Sequence, residues 1–123
     1  MELMNWVWHA VVAKPQKEFA TEAKLIERGF EAFVPREIKY RRARGRSRRR
    51  IAYEYPMLMR YVFMRTDSGR VPWHVLHEID TVQGVVSFNG EPARVRDCEV
   101  AQLMARSPKT IGDMLKGLFG GGN

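Results

Sequence analysis

The chain has 123 residues, 45% of them hydrophobic and 28% charged, with a formal net charge of +7. That length supports one core without staples, and the composition is that of an ordinary globular domain rather than a disordered or fibrous chain. No apolar run is long enough to span a bilayer, Met1–Asn5 lacks the basic-then-apolar pattern of an export signal, and the lone Cys98 can form no internal disulfide.

In chain order, Trp6–Ala13 reads as a strand. Alternation puts Trp6, Trp8, Ala10 and Val12 on one face and Val7, Val11 and Ala13 on the other, so both faces are apolar and the strand is central. Pro15 suits the first turn of a helix. Phe19, Ala23, Ile26 and Phe30 follow at helical spacing, with Gly29 as a left-handed stop.

A strand over Glu31–Pro35 leads into the loop Arg41-Arg-Ala-Arg-Gly-Arg-Ser-Arg-Arg-Arg50. Its seven arginines equal the net charge of the chain, so the rest of the protein is electrically balanced. A neutral body with one cationic finger points to a polyanion. The plainer alternative is a solvated like-charge block that serves solubility.

Pro56 ends the return segment and changes the strand pairing. Tyr61–Arg65 is a further strand, Asp67–Gly69 a turn, and Pro72 opens a short helix through Ile79 with Trp73 and Leu76 on one side. Gly84–Phe88 is strand, Asn89-Gly90 a hairpin turn, and Glu91–Val95 a brief return. Asp97 is placed to cap a third helix whose Val100, Leu103 and Met104 share a face. Beyond Pro108 an apolar patch, Met114-Leu115 and Leu118-Phe119, precedes three glycines, and residues 108–123 are expected to be a flexible tail. The order β-α-β-β-β-α-β-β-α predicts an α+β fold, an antiparallel-rich sheet flanked by helices with a basic hairpin loop.

Catalytic chemistry is absent from this pattern. His74 and His77 stand i, i+3 without an acid or cysteine at metal spacing. Gly120-Gly-Gly122 lacks the lysine and helix of a phosphate loop. The expectation is a binding module: not an enzyme, with no cofactor and no metal.

Five stretches carry a family resemblance. Trp8-His-Ala-Val-Val-Ala-Lys-Pro15, then Glu22 to Gly29-Phe30-Glu-Ala-Phe-Val-Pro35, resemble the opening of the NusG N-terminal domain. Tyr55-Pro-Met-Leu-Met-Arg-Tyr-Val-Phe63 looks like its second signature, with Met59 and Arg60 where the family carries proline and glycine or asparagine. Trp73-His-Val-Leu-His-Glu-Ile with Val82-Gln-Gly-Val85, then Phe88-Asn-Gly-Glu-Pro92 with Val95-Arg-Asp97, continue in register. The similarity spans Trp6 to Arg106 and implies a NusG-type domain over residues 1–107. The remaining residues are too few for the family's KOW barrel, so a stand-alone form is expected.

The resemblance implies a cytoplasmic, monomeric transcription elongation or antitermination regulator. Such domains dock an apolar patch on the clamp helices of the largest subunit of RNA polymerase and bridge to the opposite pincer of the channel. By position the patch would include Ala10, Val12, Leu58, Tyr61 and Phe63. All five are equally suited to a core, Leu58 and Tyr61 beside the Pro56 break being the best placed for exposure. The bridge would fall at Trp73 and His74, although Trp73 would also anchor a short helix. Lys14, Lys17 and Lys24 correspond to positions that meet the non-template strand in operon-specific relatives. Arg41, Arg42, Arg44, Arg46, Arg48, Arg49 and Arg50 would face upstream DNA through its phosphates. The alternatives are a free nucleic-acid-binding accessory protein and an inhibitor that competes with a host NusG factor for polymerase.

Overall fold

The computed structural model describes residues 5–45 and 48–106. The expected tail and Arg46 lie outside them. The described residues form eight strands and three helices: β1 (Trp6–Ala13), α1 (Glu18–Glu27), β2 (Glu31–Phe33), β3 (Arg36–Arg42), β4 (Arg50–Pro56), β5 (Tyr61–Asp67), α2 (Trp73–Glu78), β6 (Val82–Val85), β7 (Ser87–Phe88), β8 (Glu91–Pro92) and α3 (Asp97–Arg106). No described helix is long and apolar enough to cross a membrane.

The main sheet runs β2-β5-β1-β6 with every pairing antiparallel. β1 is central, as its two apolar faces require. On one face Val11 and Ala13 pack with Val62 and Met64 of β5, Leu25 of α1, Leu76 of α2 and Ile79 just beyond it. On the other, Trp8, Ala10 and Phe63 lie under Val100 of α3, flanked by Phe33, Val86, Val95 and Leu103. The fold is therefore an α+β sandwich with two small cores. Fully burying one such Val or Leu contributes about 1.5–3 kcal/mol.

Several boundaries differ from those read in the sequence. The segment from Glu31 splits at Val34-Pro35: β2 stays in the main sheet, and β3 leaves it to pair only with β4. Both strands of that ribbon reach into the arginine block, so the turn at its end is shorter than residues 41–50. Gly84–Phe88 is likewise divided between two strands: Val86 still donates its N–H to the Ala10 carbonyl of β1 (2.9 Å), but its own carbonyl accepts the Ala93 N–H (2.8 Å), and Ser87 and Phe88 pair with β8. Pro15 does not open α1. Gln16 takes φ +64° and the helix starts at Glu18, so the proline sits in a turn ahead of it. Asp97 is the first residue of α3, and its Oδ1 accepts the Trp8 indole N–H at 2.8 Å. Gly29, at φ +92°, ends α1 as its sequence position implied. Asn89 and Gly90, at φ +52° and +80°, form the hairpin turn between β7 and β8.

Candidate functional site

Two surfaces hold most of the candidate residues. The first is the corner between β4 and β5. Pro56 closes the ribbon, Met57 donates its N–H to the Pro35 carbonyl (2.7 Å), and the chain turns through Leu58, Met59 and Arg60 into β5. Arg60 takes φ +74°, a conformation that suits glycine or asparagine and costs other residues roughly 1–2 kcal/mol. Four contacts hold it there. Its N–H donates to Glu18 Oε2 (2.8 Å) and its carbonyl accepts the Ala13 N–H (2.7 Å). Its Nε donates to the Ala13 carbonyl (3.2 Å), and a terminal guanidinium nitrogen donates to Gln83 Oε1. The arginine thus holds a left-handed turn at the position where the resemblance expected glycine or asparagine.

The corner is apolar and open. Leu58 and Tyr61 are each 39% exposed and Met59 59%. Val12 is half-buried and lies directly opposite Tyr61 in the register, so the two share a face. Of the corner residues, Met59 also lines a cavity of about 440 Å³ that opens toward α1, with Pro15, Phe19, Tyr55, Pro56 and Arg60 among the others.

Ala10 and Phe63 are placed differently. They pair with one another one step further along the same face, but there α3 lies on the sheet. They are 9% and 6% exposed, sealed beneath Val100. α3 cuts the stripe Trp8-Ala10-Val12 in two, burying its first part and leaving the Val12–Tyr61 end uncovered. With α3 in place, Ala10 and Phe63 are core residues, and the apolar surface consists of Val12, Leu58, Met59 and Tyr61. Trp73 (44% exposed) and His74 stand at the surface on α2. Leu76, not Trp73, anchors that helix in the core.

The second surface is the β3–β4 ribbon. One arginine fixes its root. Arg36 donates to Glu22 Oε2, to Glu54 Oε2 (3.3 Å) and, through Nε, to the Val34 carbonyl (3.1 Å). Its guanidinium lies 4.7 Å from the centre of the Phe19 ring, and Glu22 Oε2 also accepts the Val34 N–H at 2.7 Å. Further out, Lys39 Nζ stands 3.8 Å over the Tyr55 ring, which meets Tyr53 edge-on. From Tyr40 to Ile51 the described positions are exposed apart from Ala43. No acidic side chain among the described residues pairs with Arg41, Arg42, Arg44, Arg48 or Arg50. On the body, by contrast, Lys24 holds Asp80 (2.7 Å), Arg28 holds Glu78 (2.6 Å), and Arg65 holds Glu31. These bonds keep the Asp80 and Glu78 carboxyls below their ordinary range.

Of the three candidate lysines, Lys14 and Lys17 are exposed beside the corner, and Lys24 is engaged with Asp80. Sequence reasoning missed Arg36 and assigned Arg60 no bonding role. Their partners Glu22 and Glu18 lie on α1, 14 and 42 positions away. Only the glycine-or-asparagine position occupied by Arg60 was a local sign.

Residues 7–104 match the family model of the transcription termination factor NusG. The chain belongs to the NusG family. That family consists of transcription factors, so the protein is a transcription-related factor. Among curated proteins there is no significant match.

Proposed function

We propose that this NusG-family chain is an elongation or antitermination regulator that docks on the clamp helices of RNA polymerase. The docking surface is the corner of Val12, Leu58, Met59 and Tyr61, and the ribbon holds nearby DNA. The observation that carries the reading is the corner itself. Three large apolar side chains stand exposed on a turn that a strained, four-times-bonded arginine keeps in shape. Contiguous exposed apolar surface of this kind marks an interaction site, and the restraint on Arg60 prepares it before binding, which lowers the ordering cost.

Trp73 and His74 reach the opposite pincer of the channel in this reading. A domain bound to both pincers stabilises the closed clamp over the open one, because it binds the closed state more tightly. Lys14 and Lys17 border the corner and lie toward the non-template strand, while the ribbon meets the phosphates of upstream DNA. The deciding experiment is capture of RNA polymerase with and without the tip of its clamp helices. Capture that depends on the tip is the expected result. Capture that survives its deletion would shift the reading to a free nucleic-acid-binding protein. Tip-dependent capture that displaces a host NusG factor without altering elongation would identify an inhibitor.

A further inference from the structure

We infer that the β3–β4 ribbon enters the major groove of duplex DNA, with the arginines of its two faces on the phosphates of opposite strands. This deepens the DNA contact of the proposed function and rests on that part of it. The ribbon has seven opposed pairs, from Arg36 with Pro56 to Arg42 with Arg50. At about 3.4 Å per residue it extends roughly 20 Å. B-DNA's major groove, about 12 Å wide and 8.5 Å deep, admits a two-stranded ribbon.

The register decides how the charge is distributed. Opposed residues share a face, and faces alternate along the strands. Arg42 and Arg50 stand opposite one another on one face. Arg41, opposite Ile51, is on the other. The Ala43 N–H donates to the Arg49 carbonyl at 2.9 Å, so the ladder continues one pair further and puts Arg49 on the Arg41 face. That bond also makes Ala43 with Arg49 a hydrogen-bonded pair. By alternation Arg42 with Arg50 is then a non-bonded pair, with Cα atoms only about 4.5 Å apart. Two cations at such a position repel one another and destabilise the hairpin. Phosphates beside the ribbon remove that repulsion.

Cations on both faces distinguish groove entry from the alternatives. A ribbon lying flat on a backbone would need them on one face. A grip on single strands relies on aromatic platforms for the bases, yet beyond Tyr40 the end of the ribbon carries no aromatic residue. Tyr53 and Tyr55 meet edge-on at the stem, and Lys39 stands over the Tyr55 ring.

The test uses the full chain and DNA alone: a 20-base-pair duplex and one of its strands, each titrated across a salt series. Arg42→Ala/Arg50→Ala strips one face and Arg41→Ala/Arg49→Ala the other. Thermal melts confirm that both variants remain folded. The duplex is expected to bind more tightly than the strand. Each double variant should lower the salt slope on duplex by about 0.9 per lost contact, and the two losses should add. Methyl green, a major-groove ligand, should compete with the protein, and netropsin, a minor-groove ligand, should not. Equal or tighter binding to the single strand, a loss confined to one face, competition by netropsin alone, or no duplex binding at low salt would each overturn the inference. Polymerase plays no part here. Failed polymerase capture with groove binding intact would therefore sink the proposed function and leave this inference standing, and the converse also holds.

Discussion

The indole N–H of Trp8 donates to Asp97 Oδ1 at 2.8 Å, joining the central strand to the first turn of α3 across 89 positions of chain. Around it the Trp8 N–H and carbonyl bond the carbonyl and N–H of Val95 (3.3 and 2.8 Å), so the segment entering α3 is stitched to β1 at both backbone and side chain. α3 in turn covers Ala10 and Phe63, which makes this joint the boundary between core and open apolar surface.

Replacing Trp8 by Phe keeps most of the ring's burial and removes the bond. The expected loss is about 1 kcal/mol, the net worth of one hydrogen bond. Asp97→Ala should cost a similar amount, and the double variant little more than either alone, since the two side chains share one interaction. Urea denaturation of the four proteins checks this. Fully additive losses would show that the bond contributes nothing.

Arg60 combines strain with bonding, and two substitutions separate them. Arg60→Ala loses the guanidinium bonds and keeps a side chain at φ +74°. Arg60→Gly loses the same bonds and removes the strain. The glycine variant should be more stable than the alanine variant by about 1 kcal/mol. Equal melting temperatures would mean that the turn relaxes once the guanidinium is gone.

His9 is buried at 1% exposure, between the Ala93 carbonyl at Nδ1 (3.0 Å) and Thr66 Oγ1 at Nε2 (3.1 Å). Burial lowers its pKa, with the Arg94 charge adding to the effect, against the opposing pull of the Ala93 carbonyl. In the unfolded chain the imidazole gains its proton near pH 6.5, whereas in the folded state it does so only at lower pH. Stability is therefore full above about 6.5 and falls as the pH drops below it. Thermal melts between pH 7.5 and 5 should show this decline, and His9→Gln should flatten it. Asp80 and Glu78, whose pKa values are also lowered, lose their contribution only in the more acidic carboxylate range. A profile with no change between pH 7 and 5 would rule out a role for His9.

Leu58→Ala with Tyr61→Ala should leave the melting curve near normal and weaken polymerase binding by on the order of 2–4 kcal/mol, the usual cost of two interface anchors. Phe63→Ala is the contrasting case. It should destabilise the fold by about 3–5 kcal/mol, because the ring fills the core under Val100. Unchanged polymerase affinity in a folded Leu58/Tyr61 variant would place the docking surface elsewhere.

Local chemistry was enough to settle part of this protein from its sequence. The two apolar faces of Trp6–Ala13 made that strand central wherever it paired, the left-handed positions at Gly29 and Asn89-Gly90 ended their elements, and the arginine block concentrated the charge. The α+β class followed from the order of these elements, and the family resemblance from five stretches in the right order between Trp6 and Arg106. Tertiary structure decided which apolar residues are surface. Ala10 and Val12 are two apart on one strand face, and nothing local separates them. α3, arriving from beyond residue 96, covers one and stops short of the other. It also decided that β3 leaves the sheet, with Arg36 at its root held by Glu22 and Phe19 of α1. Asp97 shows the same limit: its position before a helix suggested a cap, but a distant indole supplied the stronger use of its carboxylate. Periodicity records which face a side chain occupies, whereas exposure depends on what long-range packing brings over that face.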